Sequence, residues 1–433
     1  MVLGLPSLAA EAAPKPNAER TATNKCEKAN GTLPWWCRTV PSEEEPAPDD
    51  GDPAPDDGDA APDDGDPALG DGDPAPDDGD AAPDDGDAAL GDGDAALGDG
   101  SEPSDVFVVP ATIDSTGTRD VTAQLSEFLA AVPDGATVSF LRDGHYRVEG
   151  TLKLHGRHGL TLEGNGATIR ATTTGHSHRA HWQIVGGSDL VMRNMTIIGP
   201  HNGGYVDELQ YQHAVDLRGV SGVHVSRVSV QGVYGDCVYI GLGLDSRLSW
   251  SERIRVTESV CQDNGRQGIA IVAGRDVVIG ANRLTRIGLM PFDIEPNGVG
   301  DGADGVTIIG NMVGTSRQWF FGIVGEAPVR NVTVAGNSLV GRSMSILLQL
   351  EGTQRISNVT IRDNVSDQGQ WYNGDGSVIS AHRVDGLTVT GNHQPAAGST
   401  QVFVSATSSC RVLVSGNTFP GGGDVLRSLS PSC

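Results

Sequence analysis

The stretch Val332-Thr333-Val334-Ala335-Gly336-Asn337 decides the fold, because the chain repeats it at a nearly constant interval. Alternating β-branched residues indicate a strand, and the Gly-Asn pair that follows indicates a turn. Successive terminal asparagines are 29, 26, 27, 28 and 25 residues apart. These spacings belong to the last six copies, which follow an earlier copy at Leu190–Asn194: Val277–Asn282, Val306–Asn311, Val332–Asn337, Val359–Asn364, Leu387–Asn392 and Val412–Asn417.

This interval is the length of one coil of a three-sided solenoid. A propeller blade is longer, a hexapeptide β-helix coil is shorter, and no long amphipathic helices separate the strands as a βαβ protein requires. The sequence therefore predicts an all-β, single-stranded parallel β-helix of about ten coils. Its apolar residues should point inward, and Asn after Gly fits a turn that needs a left-handed residue and allows hydrogen bonds along the stack. The amphipathic segment Thr122–Ala131 is predicted to be an N-terminal capping helix.

The entry sequence resembles that of a known superfamily. Thr122–Ala131, Ala136–Phe140, Gly144–Val148 and Leu162–Ile169 are similar to the start of pectate-lyase-like β-helix proteins, and the similarity extends over about residues 105–420. The resemblance implies a right-handed parallel β-helix. It implies less about activity, because the superfamily includes lyases, hydrolases, epimerases, viral tailspikes and adhesins.

The first hundred residues have a different composition from the rest. They hold 5 Lys+Arg against 26 Asp+Glu, whereas residues 101–433 hold 25 against 30. Residues 42–104 contain a repeated Pro-Ala-Pro-Asp-Asp-Gly-Asp unit that cannot bury a core, which predicts a disordered acidic linker. We expect residues 1–13 to be a signal-peptide remnant, 14–41 a small segment with a Cys26–Cys37 disulfide, and 105–433 the β-helix.

Charge and cysteine content also bear on location and partners. The nearly neutral β-helix region lacks the basic surplus that binds nucleic acid, and no apolar run is long enough to span a membrane. Six cysteines favour a secreted or cell-surface protein, expected to be a monomer. A second disulfide is predicted between Cys410 and Cys433. Cys237 and Cys261 are predicted to be buried unpaired side chains.

Aligning the second strand of each coil brings polar residues together on one outer face. Asp293 and Glu295 share one strand, with Ala270 and Gly322 beside Asp293, so the two carboxylates should lie in a notch. Their outward direction predicts solvent contact. Residues in register just ahead of these strands should form the rim, namely His213, Asp236, Arg266, Gln267 and Trp319.

The residue types suggest carbohydrate chemistry. Crowding of two carboxylates is expected to keep one protonated, as an acid and a base or nucleophile require. We therefore predict Asp293, Glu295 and Asp236 as catalytic. The expected substrate-binding residues are His213, Arg266, Gln267, Tyr239 and Trp319. Tyr234 is a further candidate for sugar packing. No metal or cofactor is predicted, because His176, His178 and His181 lie in a loop without nearby carboxylates.

A comparison with polygalacturonases, pectin hydrolases of this superfamily, indicates a site at the same place in the sequence but with different residue types. Val233–Val238 resembles their D-D-C segment, Gly265–Gly268 stands at their G-H-G, and Asp293–Glu295 stands at their R-x-K. Only Asp236 matches in residue type. The cationic pair that would bind galacturonate is replaced by two anions, and Lys153 is the only lysine from residue 105 onward. Both facts argue against pectin as the substrate and against a lysine-based lyase.

The sequence therefore favours a secreted polysaccharide-active enzyme, most simply a glycoside hydrolase. One alternative is a uronate epimerase or polysaccharide lyase, in which His213 or a tyrosine abstracts a proton and Arg266 neutralises the sugar carboxylate. Another alternative is a non-catalytic carbohydrate-binding adhesin or spacer, for which the same solenoid and the long acidic linker are suitable.

Overall fold

The computed structural model describes residues 105–245, 249–369 and 373–429. The expected signal-peptide remnant, the Cys26–Cys37 loop and the acidic linker lie outside these residues. Within them the strands form two parallel sheets, of twenty and eleven strands. The strands Ser188–Ile198 and Ser221–Gln231 each run across two sides of the coil, so the larger sheet covers two sides and the smaller sheet covers the third.

The eleven-stranded sheet has one strand in each coil. Its strands are Leu152–His155, Trp182–Val185, Val215–Arg218, Val238–Gly241, Ile269–Ile271, Phe292–Ile294, Phe321–Gly325, Ile346–Leu350, Ser377–His382, Val402–Thr407 and Leu426–Leu429.

The first side of the twenty-stranded sheet consists of Val106–Val108, Thr137–Ser139, Thr161–Glu163, Ser188–Ile198, Ser221–Gln231, Ser251–Thr257, Ala273–Gly280, Gly302–Ile309, Val329–Ala335, Ile356–Arg362, Val384–Thr390 and Cys410–Ser415. Its second side adds Thr116–Asp120, His145–Arg147, Thr168–Arg170, Val260–Gln262, Arg283–Thr285, Met312–Val313, Ser338–Leu339 and Val365–Ser366.

Columns of apolar side chains fill the interior of the coils. In the eleven-stranded sheet, Ile269, Phe292 and Phe321 pair in successive strands, and each is buried. Because side chains alternate along a strand, the residues between these positions face away from the core. The capping helix Thr122–Ala131 is present as predicted, and Leu125 and Leu129 bury its apolar side.

The predicted asparagine stack is confirmed, with one change in the turn. From Asn282 to Asn417, each side-chain amide donates to the amide oxygen of the next asparagine, at 2.8 to 3.0 Å. The left-handed residue is the one before each asparagine, for example Gly336 with φ of 59°. Glycine suits that position because it has no Cβ, and the asparagine itself is left to bond along the stack.

The prediction for Cys237 and Cys261 is wrong, because these two residues form a disulfide with a Cα–Cα distance of 6.0 Å. Cys261 lies on the third strand of the coil, in register with the inward-facing Val230 and Leu284. It therefore reaches across the interior to Cys237. The predicted Cys410–Cys433 disulfide involves Cys433, which lies outside the described residues. No helix in the described part of the chain is long and apolar enough to cross a membrane.

Candidate functional site

Asp293 occupies its predicted position on the eleven-stranded sheet, and Glu295 follows directly after the strand Phe292–Ile294. Asp293 lies between the core residues Phe292 and Ile294, and it pairs with Ala270 on one side and Gly322 on the other. A Cβ added at Gly322 would stand 2.8 Å from Met290 Sδ and 3.5 Å from Asp293 Oδ1. The notch beside Asp293 therefore depends on a small neighbour.

The predicted solvent contact of the two carboxylates is wrong. Asp293 and Glu295 face away from the core, yet each is only 2 % exposed. The alternation of strand side chains gives direction, but it contains no information about what loops place over the sheet. Arg266, Gln267 and Asp236 are buried with them rather than standing at a solvated rim.

Arg266 is the centre of the buried charges. Its Nη1 donates to both oxygens of Asp236, at 2.9 and 2.7 Å, and its Nη2 donates to Glu295 Oε1. Burial alone would lower the pKa of Arg266, but the charges of Asp236 and Glu295 raise it well above its ordinary value. We call Asp236, Arg266, Asp293 and Glu295 the carboxylate cluster.

Gln267 holds the carboxylate of Asp293 in place. Its Oε1 accepts the backbone N–H of Met290 at 2.7 Å, which sets the orientation of the amide. Its Nε2 then donates to Asp293 Oδ2 at 2.6 Å. Gln267 also donates its backbone N–H to Asp236 at 2.9 Å. Glu295 therefore forms a direct ion pair with Arg266, whereas Gln267 gives Asp293 a neutral hydrogen bond, and the charge of Arg266 also acts on Asp293.

His213 lies beside Asp236 at the edge of the carboxylate cluster. The backbone N–H of Asp236 points at His213 Nδ1 at 3.1 Å, and Asp236 Oδ2 is 3.2 Å from the same atom. Accepting that N–H places the ring proton on Nε2. His213 is 1 % exposed, and its Nε2 has no hydrogen-bond partner within the described ranges. A buried donor without a partner is unusual in a folded protein and calls for an explanation.

Tyr239 extends the site toward the N-terminal coils. Its ring stacks on His213 with a centroid distance of 4.6 Å, and the guanidinium of Arg218 lies 4.6 Å from the ring centroid. Arg218 is paired with Asp216 at 2.8 Å, and Gln183 donates to Asp216 at 3.1 Å. Asp216 and Arg218 were not predicted as site residues. Their register with Tyr239 and Gly241 was the available signal.

Two tyrosines that sequence reasoning missed come from residues 201–212, which precede His213. Burial raises the pKa values of Tyr205 and Tyr211, and the nearby charge of Arg266 opposes the increase. The charge of Glu295 also raises the pKa of Tyr211, so Tyr211 is close enough to the carboxylate cluster to interact with it electrostatically. Tyr205 donates to Asp207 at 2.6 Å. The segment has no repeat, which is why no pattern indicated its position.

The remaining predicted residues are held by protein contacts. Trp319 is 9 % exposed, and its indole N–H donates to Asn373 at 2.7 Å. Tyr234 packs edge-on against His201. His178 stacks on Tyr211, whereas His181 is buried. Within the described residues no group of three or more His, Cys, Asp or Glu side chains is placed to hold a metal ion.

The comparison with solved structures establishes the fold. The chain has the right-handed parallel β-helix fold of pectin lyase-like proteins. PfbA, a surface adhesin of Streptococcus pneumoniae, is 14% identical over 73% of this chain and 91% of its own, with a TM-score of 0.54. Endo-xylogalacturonan hydrolase from Aspergillus tubingensis is 13% identical over 75% and 93%, also with a TM-score of 0.54.

A third similar structure is a tailspike protein of E. coli bacteriophage HK620 in complex with a pentasaccharide. It is 10% identical over 75% of this chain and 65% of its own, with a TM-score of 0.53. No protein-family model matches the chain, and no curated protein sequence matches it. Identities of this size support a common fold and leave activity to be argued from the site.

Proposed function

We propose that the protein binds a polysaccharide on the outer face of the eleven-stranded sheet and hydrolyses its glycosidic bonds. Asp293 and Glu295 would be the reacting pair. The observation that carries this proposal is the difference between their partners, a guanidinium for Glu295 and an amide for Asp293. Two carboxyl groups in unlike environments are the usual means of obtaining an acid and a base or nucleophile.

The partners suggest which carboxyl takes which role. Protonating Glu295 would break its ion pair with Arg266, so Glu295 is suited to act as the carboxylate. The Gln267 amide can remain bound to one oxygen of a protonated Asp293, so Asp293 is suited to be the acid. Adjacent outward positions on a strand are about 6.6 Å apart at Cα, which allows either a retaining or an inverting reaction.

Asp236 is assigned a supporting role. It receives both hydrogen bonds of Arg266 Nη1 and the backbone N–H of Gln267. It thereby holds the two residues that contact the reacting pair. We propose Asp236, Arg266 and Gln267 as positioning residues, and His213, Tyr239 and Trp319 as the substrate-binding surroundings.

A carbohydrate ligand outside the cell agrees with the similar structures. A polysaccharide hydrolase, a surface adhesin and a tailspike with a bound pentasaccharide share the fold. These names support the class of ligand and an extracellular or cell-surface location. They do not distinguish hydrolysis from binding.

Binding without turnover is the second candidate. It is favoured by the burial of the reacting pair, since Asp293 and Glu295 are each 2 % exposed and Arg266 is already ion-paired. An epimerase or lyase is less well supported, because Arg266 would have to leave Asp236 or Glu295 to neutralise a sugar carboxylate.

One screen distinguishes these activities. The purified full chain is incubated with plant, algal and bacterial polysaccharides, and new reducing ends are measured together with the absorbance of unsaturated uronates. Hydrolysis predicts reducing ends without the chromophore. The chromophore would instead identify a lyase, and retention of the protein by a polysaccharide without any product would support the binding candidate.

A further inference from the structure

We infer that the carboxylate cluster selects uncharged glycosyl units and rejects uronates, with His213 as a residue that binds a sugar hydroxyl. This inference rests on the proposed function, because it specifies the substrate of the same site. Three observations carry it: the pairing of the arginines, the excess of carboxylates, and the hydrogen bonding of His213.

The arginines near the reacting pair are already bound to carboxylates. Arg266 contacts Asp236 through Nη1 and Glu295 through Nη2. Arg218, the next arginine on this face, lies 2.8 Å from Asp216 and over the ring of Tyr239. A uronate entering the site would have to break one of these pairs. Breaking a buried pair leaves an uncompensated charge, which is strongly unfavourable.

The charges that remain oppose a uronate as well. Even with Asp293 protonated, as its proposed role as the acid requires, the cluster holds two carboxylates, Asp236 and Glu295, against the single guanidinium of Arg266. Because the site is buried, charges interact there with less screening than at the surface. A sugar carboxylate would add a further negative charge to this excess. A hydroxyl adds none, and it can donate to a carboxylate oxygen.

His213 supplies the complementary donor. Its Nδ1 accepts the backbone N–H of Asp236, and its Nε2 is buried without a partner among the residues that the structure describes. The ring cannot turn freely because it is stacked on Tyr239. A donor fixed beside an anionic cluster matches a group that both accepts and donates hydrogen bonds. A sugar hydroxyl has that property.

The test uses polysaccharide pairs that differ only in charge. Pectic galacturonan and alginate are compared with the same polymers after chemical reduction of their carboxyl groups, alongside neutral glucans, xylans and galactans. Binding of the full chain is measured by affinity electrophoresis. Retardation by neutral or reduced polymers but by neither uronate parent is expected. Retardation by a uronate that disappears after reduction would overturn the inference while leaving carbohydrate binding intact. No retardation by any polymer would remove the proposed function, and this inference with it.

Variants then assign the selectivity to named residues. Glu295→Gln frees one side of Arg266, so this variant should gain about tenfold in affinity for a uronate polymer relative to Asp293→Asn, which leaves that pair in place. If the two variants respond alike to uronates, pairing of Arg266 does not determine selectivity.

The role of His213 is tested with the neutral polymer that binds most tightly. His213→Leu should lose about tenfold in affinity, and His213→Gln, which retains an N–H at a similar reach, should recover most of it. The matched control is His224→Leu, because His224 lies on the other sheet and is bonded to Thr257. Equal affinity of His213→Leu and the parent would contradict the role.

Discussion

The stacked asparagines from Asn282 to Asn417, here called the asparagine ladder, and the carboxylate cluster are both groups of buried polar side chains in the same β-helix. Their contacts differ. In the ladder each asparagine repeats the contacts of the last, with its amide donating to the next amide and to a backbone carbonyl. In the cluster no two residues make the same set of contacts. Asp236 is bound by Arg266, by the adjoining Gln267 and by His213, each through a different kind of group, and His213 retains an unpartnered nitrogen among the described residues.

The difference separates buried polar groups that serve the fold from those for which we propose a functional role. A ladder of neutral amides satisfies itself and extends from coil to coil, so it needs nothing from outside. The cluster buries ionised groups whose desolvation is costly, and such a cost is commonly retained at functional sites. Unrepeated polar burial in a repeat protein is therefore a criterion for locating a site.

The largest expected effect comes from removing the one cation of the cluster. Arg266→Gln leaves Asp236 and Glu295 buried without their guanidinium, and should lower the free energy of unfolding by about 3–5 kcal/mol. Chemical denaturation measures it. The control is Arg286→Gln, because Arg286 pairs with Asp263 at the exposed surface, where water screens the pair and its loss should cost much less. Equal losses would mean that the cluster is no more than an ordinary ion pair.

A smaller effect is expected inside the ladder. Asn337→Ala removes the acceptor of Asn311 and the donor to Ile308, and should cost about 2–3 kcal/mol because the groups left behind are buried. Asn417→Ala, at the half-exposed end of the ladder, should cost about 1 kcal/mol because water can replace the lost contacts. A larger loss at Asn417 than at Asn337 would contradict the account of the ladder as a cooperative stack.

The dependence of stability on pH distinguishes a buried group that titrates, His181, from the uncharged asparagine ladder. Burial, and then the charge of Arg179, lower the pKa of His181 to about 3, against an ordinary value of 6.5, while Glu149 partly opposes the shift. The unfolded chain therefore takes up a proton between pH 6.5 and 3 that the folded chain does not, so stability falls as the pH decreases through this range.

Replacing His181 should remove that dependence. In His181→Asn, the free energy of unfolding should decrease less steeply with falling pH than in the parent, by at most about 1.4 kcal/mol per pH unit. Denaturation at pH 6, 5 and 4 measures the difference, and carboxylates elsewhere cancel because both proteins contain them. Asn337→Ala should leave the parent's slope unchanged. Parallel curves for the parent and His181→Asn would show that His181 titrates normally.

Periodic features were predictable from the sequence, and features that break the period were not. The strands, the asparagine stack, the capping helix and the register of Asp293 with Ala270 and Gly322 all follow from repeated apolar positions. The Cys237–Cys261 disulfide was missed because only two strands of each coil had been aligned, and Cys261 lies on the third. Aligning Val230, Cys261 and Leu284 would have shown it facing inward.

The burial of Asp293 and Glu295 was missed for a related reason. Tyr211, whose pKa responds to the charges of Arg266 and Glu295, belongs to a segment with no repeat, and local contacts such as the Tyr205 hydrogen bond to Asp207 hold that segment. The residue types of the site were nevertheless predictable. Asp236, Arg266, Gln267 and His213 were all expected near Asp293, and the structure brings them into one hydrogen-bonded group.

The most direct test of the central claim is the turnover of Asp293→Asn and Glu295→Gln on the best polysaccharide from the screen. The control is Glu326→Gln, an exposed carboxylate one coil further along the sheet. We predict that each of the first two variants unfolds cooperatively and loses at least about a hundredfold in kcat, the size expected for an acid or base group, while Glu326→Gln retains the parent's rate. Parent-like turnover by all three variants would contradict a catalytic role for the carboxylate cluster.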